Sequence, residues 1–432
     1  MTMWNTYSPT KQQPWGARRV AHLHRRTVFG LTASELRRDV ESTPEAAIGR
    51  IVSGEGRDGV PDEFDQLSTL IGDAAASQLN VDRLKAWWIY RLLFSPDPLG
   101  ERLTFMWHNH FATSNLKVNN LPQMKAQNET FRQHGRAEFG TLLHAMLQDC
   151  ALLRWLDAQT NRKGRPNENL GRELLELFTL GVGNYTEGDV RNTARALTGL
   201  GVKNDQFQFD KRRHDETEKT ILGQKKTFDP NQLADLLLSN PATSRRLADK
   251  LIAEFFAPNV VSKEARDELA AQLRASNLNI GKATETILRS ELFFSDANIN
   301  KRITDPLTFL IAPLRAFEVF KNPPSTLTLA DWLRRMGLDL FYPPNVAGWP
   351  GGRTWLTTRT VIARANYGAA VVSGDVHRVA KAPNLEQLAK EPTEFGSLMA
   401  TLLVGGPDEE VKKKTHMEAA LKLLTGTKVH LH

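Results

Sequence analysis

The sequence predicts a mainly α protein: one large helical body carrying one small β-hairpin excursion. Three observations carry that reading. Apolar residues recur at helical spacing in nearly every segment, and period-two alternation is confined to a short stretch near residue 206. No run of 18 apolar residues occurs, which excludes a spanning helix.

The elements follow in order. In residues 32–53, Leu36, Val40, Ala47, Ile48 and Ile51 keep a helical rhythm, with a break and restart at Thr43-Pro44. A helix over 81–94 is closed by Ser95-Pro96-Asp97-Pro98, and another spans 101–112. A polar stretch to Leu121 precedes a long helix to about Gln133, and 139–156 is strongly apolar. At Gly201 the pattern changes: Gln206-Phe207-Gln208-Phe209-Asp210 alternates, and 219–222 offers a partner strand. Helices resume over 230–256, 264–275, 280–292 and 306–320, and Asn322-Pro323-Pro324 breaks the chain. A helix around 331–336, a Pro/Gly loop over 341–352 and helices over 355–367, 393–403 and 408–424 complete it. We divide the chain into an N-terminal helical half (1–200) with a polar site, a hairpin insertion (201–229) and a C-terminal helical half (230–432), expected to form one continuous body.

Composition bounds the function. The 41% hydrophobic and 24% charged residues are those of a globular chain, and the formal charge of +7 gathers in 11–26 and 211–226. No nucleic-acid-binding signature accompanies the charge, so nucleic acid is not an expected partner. Cys150 is the sole cysteine, which rules out intrachain disulfides and a thiolate zinc cage. The start, MTMWNTYSPTKQQPWGARR, lacks the apolar core of a secretory signal. As it stands the sequence reads as cytoplasmic, with export expected where a signal precedes it.

One stretch is unusually rich in groups that are costly to bury unpaired: LDAQTNRKGRPNENLGRELLELFTLGVGNYTEGDVRNTARALTGL, residues 156–200. After Pro166, Asn167 or Asn169 is expected to cap a helix running to Thr179. Leu170, Leu174, Leu177 and Phe178 form its apolar stripe, and Asn169, Arg172, Glu173 and Glu176 share the opposite face. Enclosure by the apolar segments on either side would make that face a polar pocket, expected to include His108 or His110. In FMWHNHF the two histidines stand about 200° apart on a helix, so they serve different environments. Asp157, Asn161, Asn167, Glu168 and Asn169 are oxygen-bearing and close in sequence, which suits Ca²⁺ or Mg²⁺ and equally well a set of Asx turns. FYPPNVAGWPGGRTW (341–355) holds aromatic faces among Pro and Gly, either to stack on a flat ligand such as a sugar ring or to plug the helices.

These segments together resemble the bacterial domain-of-unknown-function family 1800. The resemblance runs from AHLHRRTVFG through DPLGERLTFMWHNHFATS and the stretch above to HDETEKTILG and FYPPNVAGWPGGRTWL. The sequence departs from it at Asp149-Cys150-Ala151, where Asp-Pro-Ala is more usual, and at Ala158, where Asn is common. Many similar proteins carry an export signal and are encoded beside a sulfatase-like family. The resemblance therefore implies an anionic polysaccharide as substrate and a sulfatase-like protein as partner.

The function expected from these residues is hydrolysis of a glycan without a cofactor. Glu168, Glu173 and Asp189 are the candidate catalytic carboxylates, with Glu173 paired to Glu168 or Asp189 from a different element. Asn167, Asn169, Arg172, Arg195, Trp349 and Trp355 are the candidate substrate-binding residues. The alternative enzyme reading is a divalent metal held by His108 or His110 with Glu176, Glu173 or Asp157. The non-enzymatic alternative is a binding or scaffold protein.

Overall fold

Helices start where short polar side chains and prolines tell the backbone to turn. In the computed structural model, which describes residues 2–319, 323–376, 383–411 and 414–432, an Asx-Pro pair opens four helices. Asp97, Asp229, Asn240 and Asp305 each accept a free N–H of the first turn, and the following proline needs no N–H there. Asp97-Pro98 therefore begins the next helix, Pro98–His110, earlier than the expected residue 101. The described residues are 59% helical, with no helix long and apolar enough to cross a membrane. The break expected at Asn322 and the helix end at Phe320 lie outside the described residues. So do Lys412 and Lys413 of the last expected helix, which is ordered as His416–Thr425.

The excursion contains two hairpins, which corrects the expected strand pairing. Strand β1 (Leu200–Lys203) pairs with β2 (Gln206–Phe209), and β3 (Lys219–Ile221) pairs with β4 (Gln224–Lys226), both antiparallel. Asn204 and Asp205 join the first pair, both at positive φ, as a two-residue turn requires. Strand 206–209 thus turns back on its predecessor, and 219–221 closes on its successor through Leu222-Gly223.

Two apolar cores draw on both halves of the chain. One gathers Leu23, Trp107, Phe111, Phe178, Leu251 and Phe293, and the other Val20, Trp88, Phe105, Leu310, Phe341 and Tyr367. The Pro98–His110 helix runs between them, buried at every position except Asn109. Trp107 faces one core and Phe105 the other, so neighbouring residues of this helix enter separate environments. The far end of the chain is tied in by backbone bonds between Arg302 and His432, at 2.8 and 2.7 Å.

Candidate functional site

The polar stretch is built outward from one buried side chain. Asn161, 1% exposed, donates to Ala194 O (2.8 Å), and its Oδ1 accepts the N–H of Asn167 (2.9 Å). Between these two residues the chain makes a tight turn closed by Arg162 and Arg165, with Gly164 at φ +77°. The turn is fixed to the excursion by Lys163 N–H donating to Arg213 O (2.8 Å). A cleft of about 560 Å³ results, lined by Thr160, Arg162, Arg165, Asn167 and Arg213. Arg162, Lys163 and Arg165 are exposed. Among the described residues no carboxylate pairs with any of them, so the cleft carries uncompensated positive charge.

The N-cap of the next helix is Glu168, not Asn167 or Asn169. Glu168 therefore heads the same helix as Glu173, which corrects the expected pairing of carboxylates from different elements. Asn167 stands one residue before the cap, its Oδ1 accepting Asn169 N–H (2.9 Å) in an Asx turn. The helix is α only over Asn169–Glu173 and widens to π over Leu174–Thr179. Leu180 N–H accordingly reaches Leu175 O (2.9 Å), five residues back. The widening shifts the buried positions: Leu175 is fully buried, while Leu177 of the expected stripe is only half-buried. The polar face is a half-buried shelf, not an enclosed pocket. Arg172 bridges Glu168 (3.0 Å) and Glu187 (2.8 Å), and Glu176 accepts the Tyr185 hydroxyl (2.7 Å). Burial, then the like charge of Glu176, raises the pKa of Glu173. Burial and the bond to Glu176 push Tyr185 up to about 12.

The histidines are not part of this shelf, which corrects the expected shared pocket. His110 bonds Phe178 O (3.1 Å) inside one core. His108 lies in an aromatic box of Trp88, Phe131, Phe341 and Trp349, and burial lowers its pKa to about 3. The two do serve different environments. Asp157 pairs with Lys117 (2.7 Å) and meets Asn169 Nδ2 (3.2 Å). Among the described residues, no three His, Cys, Asp or Glu side chains gather to hold a metal, so His108, His110, Glu176 and Asp157 are not brought together.

Four other candidates hold the structure together. Both oxygens of Asp189 are engaged, one by the N–H and hydroxyl of Thr186, the other by Leu222 N–H (2.7 Å). Against the penalty of burial these donors lower its pKa, and it caps the Glu187–Ala196 helix. Arg195 clamps the excursion through Asp215 (2.8 Å), Thr217 and the carbonyl of Glu218. Trp349 and Trp355 are 6% and 7% exposed, and Trp349 stacks on Phe105 at 5.9 Å. The loop is pinned by Asn109, whose Oδ1 accepts Trp349 N–H (2.7 Å) and whose Nδ2 donates to Trp349 O (3.3 Å). Sequence reasoning missed Asn109. Its signal was a short amide side chain between the two histidines at the end of the helix.

Residues 22–429 match the family model described as "Protein of unknown function (DUF1800)". No curated protein matches the chain. No solved structure matches it either.

Proposed function

Since the chain belongs to the DUF1800 family, whose description assigns no activity, we propose its function from the site itself: hydrolysis of an anionic glycan on the shelf beside the arginine cleft. The observation that carries the proposal is the adjacency of two features. An exposed cationic cleft of Arg162, Arg165 and Arg213 leads through Asn167 directly into a helix bearing a carboxyl of raised pKa. Guanidinium groups with no carboxylate partner among the described residues suit the carboxylates or sulfates of an acidic sugar chain.

Glu173 is the general acid of this reading, since a raised pKa keeps the proton that a leaving group needs. It passes that proton to the glycosidic oxygen as the C–O bond breaks. Glu168, ion-paired to Arg172, takes a proton from the water that adds to the sugar carbon. Asn167 and Asn169 flank the sugar, and no step needs a cofactor. Asp189, Arg195, Trp349 and Trp355 serve the scaffold in this proposal.

The test is reducing-end release from a panel of acidic polysaccharides (polygalacturonate, alginate, hyaluronan) beside neutral dextran and mannan. The proposal expects cleavage of an acidic chain that weakens as salt screens the cleft. Turnover of neutral chains alone, or of none at all, would contradict it.

A further inference from the structure

A second cleft, of about 840 Å³, opens between the Pro241–Phe255 helix and the Trp349–Arg353 loop. Three elements distant in sequence bring cations to it: Lys250 from that helix, Lys301 and Arg302 from the segment before the Pro306–Ala316 helix, and Arg353 from the loop. Each element is fixed where it stands. The helix buries Leu247, Leu251 and Phe255 on its other side. The segment at Lys301 is held by the paired backbone bonds of Arg302 and His432, at 2.8 and 2.7 Å. The loop is pinned to Asn109 through Trp349 (2.7 and 3.3 Å), and Gly351 and Gly352, at φ +72° and +59°, make the bend that leads to Arg353.

The negative charges around the cleft are already engaged. Asp249 pairs with Arg266 (2.7 Å), and Glu254 and Asp305 both pair with Arg102 (3.3 and 3.1 Å). The carboxyl group of His432 lies at Arg302, whose N–H donates to His432 O (2.8 Å), and the Arg302 guanidinium donates to Glu254 O. Lys250, Lys301 and Arg353 remain, all lining the cleft. None of the three has a carboxylate or hydrogen-bond partner for its charged end among the described residues. Burial lowers the pKa of Lys250 to about 8, with Glu254 opposing and Arg246 adding to the fall.

Much of the remaining lining is apolar, with Ile252, Phe256, Pro258, Ile303 and Pro350. The volume lies in the range of sites for organic ligands, about 300–1,000 Å³, so a bare ion would leave most of it and the whole apolar wall uncovered. A phosphate monoester carries about −1.5 to −2 charge at pH 7 and three acceptor oxygens. Cations arriving from three elements match it better than they match a carboxylate, with one charge and two oxygens.

We propose that this cleft binds an organic phosphate monoester, its phosphate held by Lys250, Lys301 and Arg353 and its carbon body covering Ile252, Phe256 and Pro258. The site shares no lining residue with the arginine cleft and does not depend on glycan cleavage.

The test is calorimetry on the full chain at constant ionic strength, balanced with chloride. Glucose 6-phosphate and adenosine 5′-monophosphate are compared with inorganic phosphate and glucose 6-sulfate. At least one of the two phosphate esters should bind saturably, about tenfold tighter than inorganic phosphate and tighter than the sulfate ester. Lys250→Met and Arg353→Ser should each weaken that ester about tenfold or more, while Arg162→Ser with Arg165→Ser leaves it unchanged. Should Lys250→Met fail to fold, Arg353→Ser, at an exposed side chain, carries the same expectation. No saturable binding of either phosphate ester overturns the proposal. So does inorganic phosphate or glucose 6-sulfate binding as tightly as the better ester, or undiminished affinity in a folded Lys250 or Arg353 variant. Loss of binding in the Arg162 and Arg165 variant instead would place the ligand in the arginine cleft and overturn it as well.

Discussion

Replacing Glu35 by Gln gives the sharpest test of how the buried charges hold this fold. Glu35 is 2% exposed, and its Oε1 accepts Arg315 Nη2 (2.5 Å) and Asp58 N–H (3.0 Å). Its Oε2 accepts Thr32 N–H (2.8 Å) in a capping box. Burial alone would raise its pKa, but Arg315 and these donors bring it from the ordinary 4.5 down to about 2. That depression is worth about 3 kcal/mol of stability. Gln would leave the Arg315 charge buried and turn an amide NH₂ toward N–H donors, and breaking such a pair costs about 3–5 kcal/mol. Because the folded pKa is the lower one, the contribution is complete above pH 4.5 and is lost as pH falls through about 2. Urea unfolding should therefore show Glu35→Gln about 3 kcal/mol below wild type at pH 7, with less than about half that gap left at pH 3. A gap below about 1 kcal/mol at pH 7, or one independent of pH, would refute the reasoning.

Three further outcomes are expected. Gly348 sits at φ +81°, and a Cβ there would lie 2.1 Å from Asn109 Oδ1, so Gly348→Ala should cost about 2 kcal/mol or more by denaturation. His108 is buried neutral with a pKa of about 3, so stability should decline as pH falls from about 6.5 toward 3. Its replacement by Phe, which suits the aromatic box, should make that decline shallower in melting curves from pH 7 to 4. An equally steep curve would contradict the assignment. Arg162→Ser with Arg165→Ser should weaken binding of an acidic oligosaccharide about tenfold at low salt and flatten its salt dependence, read by calorimetry.

Helices are legible because their signals are local. Helical apolar spacing needs no knowledge of distant chain and placed most of the helices. It did not announce the Ala17–Thr27 and Phe64–Ser77 helices, and Asp97-Pro98, legible in sequence only as the end of one helix, also starts the next. The excursion was legible as a departure from helix, but its pairing was not. The alternating stretch 206–210 announced a strand, whereas its partner depended on reading Asn204-Asp205 as a two-residue turn. The π-widening over Leu174–Thr179 left no mark in the residue pattern, so Leu175 and Leu177 exchanged roles. Burial explains the rest. His108, Asp189 and Trp349 are chemically versatile in sequence, yet packing and backbone donors occupy them in the fold. Arg25 and Leu431, 406 residues apart, meet only through tertiary structure, in the bond from Arg25 Nη2 to Leu431 O (2.8 Å).

The central claim is that Glu173 gives a proton to a glycosidic oxygen. Its most direct measurement is turnover of an acidic polysaccharide by Glu173→Gln beside wild type, with both folded by circular dichroism and bound to the substrate equally by calorimetry. Removing a proton donor should lower kcat about 10²–10⁴-fold with little change in binding. A folded Glu173→Gln that keeps full wild-type turnover would contradict the account.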